Sequence, residues 1–457
     1  VILADLAGSA PDAVTRALVQ LHRTGNLFWT MARPDEARLA LAAAEATGAV
    51  PLHVAAMSLA VAASVGEVSP VLAGGPQLLR TDLPDDLARI LVASAVSAAA
   101  AVTGELGLLD EAAVVGGLTA DLVPTVIPGF GLADWQVLGH RLAGTPDRAD
   151  VLAGRMQAAS ADLPGPARLM GLVVAGHAAL AGGRVRDALL LLREAWAGLS
   201  ESGHEFRFRC RTLLAMTLGQ AGQAAQAAPL LVGIVAGWHP AYRLYLPDDL
   251  LARAWGAAAQ GSTTEALGHA VAAADLASQA GAPGYEVLAW QTAIQLGGAT
   301  AALPRLTALA GLSPRAGLAC THARACADED SEALLDAAYA WARLGDLVAA
   351  CDAAAQAADV HRRQGRQGSA LSAAALAEKL AGRSGARTPA LAIAATPLPL
   401  TTREREIATL AARGLSNKDI AERLTLSVRT VEGHLYRAGL KLGVSERTAL
   451  ADVLGVE

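Results

Sequence analysis

Lysine is almost missing from this 457-residue chain: it occurs only at 379, 418 and 441, so arginine carries nearly all the positive charge. A phosphate loop of the Gly-x-x-x-x-Gly-Lys type, followed by Ser or Thr, has no lysine to use before Lys379, so nucleotide hydrolysis by such a loop is not supported. Aromatic residues are scarce, at 4%, although 53% of the chain is hydrophobic. Alanine and leucine supply that apolar character, and with scattered Arg and Glu they favour packed helices over strands. Four cysteines, Cys210, Cys320, Cys326 and Cys351, are too few and too scattered for a disulfide framework; a reducing cytoplasm is the expected location. The uncharged stretches 50–66 and 90–104 fall short of the ~20 apolar residues of a membrane span. The longer run 212–242 is broken by Gln220, Gly222, Gln223, Gln226 and Pro229, so no membrane contact is expected.

The opening VILADLAGSAPDAV lacks the basic start, apolar core and cleavage site of a secretory signal. A first residue of Val is compatible with a non-standard start or with a piece of a longer protein. No Gly-x-Ser-x-Gly elbow or catalytic triad is visible, so neither an enzyme nor a cofactor is expected. Cys320, His322 and Cys326 offer metal-ligand atoms, but only His322 and Cys326 stand one helical turn apart and no fourth ligand is near, so helix packing is the expected role. His204 with Glu205, and Asp328-Glu329-Asp330, read as solvated loop charges.

What is present is a repeated helix-turn-helix unit between about 169 and 381. In each unit a Gly-containing turn is followed, five residues later, by a small Ala. The pairs are Gly183 with Ala188, Gly222 with Ala227, Gly261 with Ala266, Gly297 with Ala302 and Gly345 with Ala350, at Gly-to-Gly intervals of 39, 39, 36 and 48 residues. Small residues at helix crossings allow close packing, and stacked pairs make a solenoid. The segment resembles degenerate tetratricopeptide-type repeats; an ordinary helical array without a binding groove is the alternative. Residues 1–168 read as helix pairs without a resolvable period. Gly, Ser and three prolines within 382–399 predict a linker, 382–397, that lets the C-terminal part move.

The last sixty residues, 398–457, carry the densest local signals. Thr401 with Glu404, and Ser416 with Asp419, stand at capping-box spacing. A first helix therefore starts near Thr402 and ends at Gly414, and a second carries Ile420, Ala421 and Leu424 inward. Thr425 and Leu426 are all that separate it from Ser427, a third N-cap. Helices joined so tightly, with Leu426 packing between them, form a helix-turn-helix. On the third helix Val428, Val431, Leu435, Ala438 and Leu442 face inward, and Arg429, Gly433, Tyr436 and Leu440 face outward. Glu432 flanks the outer strip on one edge; Thr430, His434, Arg437 and Lys441 line the other. Outer residues can reach base edges and flanking cations can reach phosphates, with Lys418 and the free amides after Ser416 placed for a further phosphate. Arg429 suits guanine, Glu432 suits a cytosine amine, and Gly433 permits close backbone approach. The domain has nine Lys or Arg against eight Asp or Glu, so non-specific electrostatic binding is expected to be modest.

These residues (LTTREREI, GLSNKDIAERL, SVRTVEGHLYR, and KLGV followed by Ser445 and Arg447) resemble the C-terminal DNA-binding domain of LuxR-type transcription regulators. The resemblance implies double-stranded DNA as a partner, a recognition helix through Thr430–His434, and a fourth helix, Glu446 to Leu454, that mediates homodimerisation. It departs at Ala438-Gly439, where relatives tend to carry larger apolar residues. Repeats preceding this head resemble the C-terminal part of the large ATP-binding LuxR-family regulators, whose ATPase module has no counterpart here. The expected fold is all-α: a tetratricopeptide-like solenoid followed by a small four-helix LuxR-type domain. The expected function is a DNA-binding regulator whose repeats sense a ligand or partner protein; the alternative is a scaffold whose head only dimerises.

Overall fold

The computed structural model describes residues 2–118, 127–163, 166–199, 205–236, 239–395 and 400–442, together with Leu450 and Leu454. Among these there are 25 α-helices, a π-helical turn at 26–30 and a 3-10 segment at 240–245, and no strand. The fold is all-α, as the composition predicts.

The Gly–Ala rule holds at each corner where it was read. Gly183, Gly222, Gly261, Gly297 and Gly345 have φ of 63°, 72°, 80°, 94° and 99°, left-handed values that glycine adopts without steric cost. Ala188, Ala227, Ala266, Ala302 and Ala350 are all fully buried, where a second helix crosses them closely. The signature also runs back into residues 1–168, where no period is resolvable from the residues alone. Gly66, Gly104 and Gly144 share a φ of 83°, and five residues after them Val71, Leu109 and Ala149 are fully buried. The slot takes Leu109 because Gly139 faces it, so bulk on one helix is matched by its loss on the other.

The solenoid winds back on itself. The carbonyls of Arg141, Gly182 and Gln220, at the C-termini of alternate helices, accept from donors far along the chain: Arg315 Nε at 2.8 Å, Leu347 N at 3.3 Å and Arg387 N at 2.8 Å. Each is a C-terminal carbonyl with no partner inside its own helix. A Cβ on Gly183 would sit 2.6 Å from Val348 N, so this crossing requires glycine for its thinness as well as its φ.

The interior of the solenoid holds charge. Arg209 donates to Asp134 Oδ2 at 2.9 Å and to Asp248 Oδ2 at 2.6 Å, and Arg141 donates to Asp248 Oδ1 at 2.9 Å. His177 Nδ1, Tyr245 and Tyr285 donate to the same carboxylates. All of these side chains are buried. Burial alone would raise the Asp248 carboxyl, but the two guanidiniums outweigh it and hold the group at about 2. Burial pushes His177 down to about 4, so it is neutral and donates through Nδ1.

One expectation needs correction. The stretch 382–395 is not a linker. The helix Gln367–Ser384 ends on Gly385, whose φ of 85° is a left-handed cap, and Pro389 is the first residue of the helix Pro389–Ala395. Between them Ser384 Oγ donates to Gly183 O at 2.6 Å and Thr388 Oγ1 to Asp352. Gly, Ser and Pro serve here as cap, tether and helix start. The uncharged run 90–104 belongs to the 18-residue helix Asp86–Thr103, which is long and apolar enough to cross a membrane; 67% of it is buried inside the fold, in line with the expectation of no membrane contact. It is a core helix. His322, weighed above as a metal ligand, has both ring nitrogens engaged: Nε2 donates to Gln356 Oε1 at 2.7 Å and Nδ1 accepts from Trp341 at 3.2 Å.

Candidate nucleic-acid interface

The head is built as its caps predict. Helices span Thr402–Ala412, Asn417–Arg423 and Val428–Leu442, and both capping boxes, Thr401 with Glu404 and Ser416 with Asp419, are complete. Gly414 has a φ of 87° and closes the first helix; Thr425, at a φ of 55°, makes the turn. Ile407, Leu410, Ala411, Ile420, Ala421, Leu424 and Val431 form a core separate from that of the repeats, with Leu426, Leu435 and Leu442 packed against it. Ala438 is fully buried. Val428 departs from the expected inward set: it is 41% exposed, because it opens its helix before the chain has entered the core. Leu450 and Leu454 join the core, while the rest of the expected dimerisation helix lies outside the described residues.

The outer strip of the third helix is open to solvent. Tyr436 and Leu440 are 70% and 66% exposed, and Arg429, Thr430 and Glu432 are exposed beside them. A Cβ on Gly433 would meet only the Arg437 guanidinium, at 3.7 Å, so a ligand backbone has room to approach. Lys418 is exposed at the start of the second helix. Among the described residues Lys418, Arg429 and Tyr436 make no side-chain hydrogen bond or ion pair. Ser427 Oγ caps the third helix by accepting from Thr430 N at 3.1 Å and shares a hydroxyl contact of 2.7 Å with Thr430.

The other edge is organised differently from the expected row of free cations. Lys441 Nζ donates to Glu404 Oε2 at 2.6 Å, and Arg437 Nε lies 3.5 Å from Glu404 Oε1. Arg437 also donates to His434 Nδ1 at 3.0 Å. Burial would raise the Glu404 carboxyl, but hydrogen bonds from Lys441 and the Thr401 amide bring it down to about 2. Burial, and then the charge of Arg437, lower His434, so its ring is neutral at pH 7. Lys441 and Arg437 therefore tie the third helix to the start of the first.

Residues 398–454 match the family model described as bacterial regulatory proteins, luxR family. The C-terminal domain is a LuxR-type helix-turn-helix. Over 53 residues this LuxR-type head is 51% identical to proteins named HTH-type transcriptional regulators in Mycobacterium bovis and Mycobacterium tuberculosis. It is 45% identical, over the same length, to the oxygen regulatory protein NreC of Staphylococcus aureus. Each match takes in 12% of this chain, which spans only 6% of the mycobacterial proteins and 24% of NreC. The solenoid is similar to a Rap protein solved in complex with competence and sporulation factor, at a TM-score of 0.50 and 12% identity, covering 80% of this chain and 99% of that one. That likeness concerns the fold alone.

How the LuxR-type head sits on the solenoid has no local signature in the sequence. Glu406, buried in the first helix of the head, accepts from Thr264 N at 2.8 Å and Thr264 Oγ1 at 3.1 Å, at the start of the repeat helix Thr263–Gln279. Arg403 donates to Thr264 Oγ1 and to Glu406. Arg423 donates to Glu265 at 2.7 Å and Gln260 at 2.6 Å. Arg413 Nη2 donates to Ala259 O at 2.5 Å, the carbonyl that follows Arg141, Gly182 and Gln220 in the winding series. The head thus takes the place of the next rung of the superhelix. Only the i, i+3 pairing of Arg403 with Glu406 is visible in the sequence; their partner is 139 residues and more away.

Proposed function

We propose that this chain is a sequence-specific, DNA-binding transcription regulator. Its LuxR-type head reads operator DNA with the third helix, and its repeats receive a ligand or a partner protein. The observation that carries this reading is the separation of the two faces of the head: the docked face uses Arg403, Glu406, Arg413 and Arg423, and the outer strip with Lys418, Arg429, Glu432 and Tyr436 is left free. A recognition helix entering the major groove needs this exposure, with base-reading groups on the strip and phosphate-binding groups at its rim. The family match over 398–454 supports the same role. A cytoplasmic location is part of the proposal, supported by four free cysteines, three of them buried. The head pairs with a second copy through its last helix, so that two recognition helices meet half-sites related by a twofold axis. The winding solenoid, with its fold similar to a protein solved with a bound factor, supports a receiving role for the repeats.

Selection of bound sequences from random duplex DNA by the full chain, at two salt concentrations, tests the reading. The expected result is an enriched twofold motif that is lost in the Lys418→Ala, Arg429→Ala double variant. Absence of any enriched motif would turn the head into a dimerising element of a scaffold.

A further inference from the structure

An open cleft of about 460 Å³, a size common for small-ligand sites, lies at the junction between head and solenoid. Its floor is apolar, with Leu231 and Ala257 among its walls, and three basic side chains line it, Arg253 and His269 from the repeats and Arg423 from the head, beside Gln260 and Glu265. Their charges are not evenly spent. Arg423 is paired with Glu265, whose Oε2 lies 2.6 Å from Nη2. His269 stands 3.9 Å from the same Glu265, and burial lowers it, so it contributes a neutral ring. Arg253, half-buried in the wall, makes no hydrogen bond or ion pair with any described residue. The cleft therefore carries one guanidinium without an ion-pair partner over an apolar floor; the acid that feels its charge, Asp249, is hydrogen-bonded to Thr212 and pushed up to about 7 by burial. Elsewhere in the solenoid interior the arginines are answered by carboxylates, as Arg141, Arg209 and Arg315 are by Asp248, Asp134 and Asp346.

We propose that this cleft binds a small monoanion with an apolar body, a carboxylate in the simplest case. The anion is held by Arg253 through paired N–H donors, and its body lies against Leu231 and Ala257. A guanidinium matches a carboxylate bidentately, and the pair is strengthened where water is partly excluded. Because Arg423 belongs to the head and Arg253 to the repeats, the occupant touches both bodies. Its binding is then coupled to the docked position of the head by the reciprocity of linked equilibria. The site stands on the junction itself, independently of what the outer strip binds.

Fluorine NMR of 4-fluorobenzoate titrated with the full chain tests this without DNA. The expected result is saturable broadening of the probe by the wild type, an affinity at least about tenfold lower for Arg253→Gln, and no change for the surface control Arg38→Gln; tenfold corresponds to about 1.4 kcal/mol. The neutral analogue 4-fluorobenzyl alcohol should bind more weakly than the acid. Circular dichroism of Arg253→Gln, matching the wild type, confirms that the variant is folded. Equal binding by Arg253→Gln, equal binding of acid and alcohol, or no saturable binding by the wild type would each overturn the assignment.

Discussion

The solenoid and the head put their charges to opposite uses. Inside the repeats, arginine and aspartate are buried against each other, as in Arg209 with Asp134 and Asp248, and join helices 75 and 39 residues apart in sequence. Among the described charged residues of the head only Glu404 and Glu406 are buried; the other charges lie nearer the surface, and they divide by face. Glu406, Arg403, Arg413 and Arg423 meet partners in the repeats, and Lys418 and Arg429 meet none. A buried pair cannot be released cheaply, so the repeats hold one shape. An exposed, unpaired cation has given up little hydration and remains available to an incoming phosphate. Rigid frame and open reading surface follow from where the charges sit, more than from how many there are.

The largest effect is expected where the comparison is most extreme. Arg209→Leu leaves Asp134 buried without its main counter-charge, and Asp248 with Arg141 alone, and should destabilise the solenoid by about 3–5 kcal/mol, read as a lower urea midpoint. Next comes the reading face: Arg429→Ala should cost about 1–3 kcal/mol of operator affinity and relax one base position, while Lys418→Ala should lower the salt slope by about 1 at every sequence. On the docked face, Glu406→Gln should loosen the junction by about 1–3 kcal/mol, measured as faster hydrogen exchange at the Thr264 amide with the head core still protected.

The smallest effect is confined to acid. Glu404 is held at about 2, below its usual 4.5, so its contribution to the head is fully present above 4.5 and is lost as pH falls toward 2. Glu404→Gln should flatten the acid limb of head unfolding across that window. An unchanged limb would show that Lys441 and Arg437 do not tie the third helix to the first.

Legibility in the sequence followed the range of the interaction. Caps, turns and helix faces depend on residues within about four positions, and for this reason Thr401, Ser416, Gly414 and the inward set Val431 and Ala438 could be read directly. Val428 could not, since its exposure depends on where the core begins. The repeat rule was readable between 169 and 381, where the small residue is Ala throughout; Gly144 with Ala149 obeys it too but stands next to corners that do not. It was missed at Gly66 and Gly104 because Val71 and Leu109 fill the same slot, and only the opposing Gly139 explains how Leu109 fits. The segment after 381 was misread because Gly385 and Pro389 look alike in a linker and in a cap followed by a helix start; Ser384 bonding to Gly183, 201 residues away, decides between them. Nothing local announces the Arg141–Asp248 pair, separated by 107 residues, or the docking of Glu406 on Thr264, separated by 142. In the head, sequence spacing placed Arg437 and Lys441 on one edge, but it could not reveal that Glu404 already holds them.

The most direct test of the division between faces is the salt dependence of operator binding by the full chain, compared across two double variants. Log affinity against log salt should lose about one unit of slope in Lys418→Ala with Arg429→Ala, and keep its slope in Arg413→Ala with Arg423→Ala. The reverse pattern, with the slope falling for the docked arginines and holding for Lys418 and Arg429, would contradict the account.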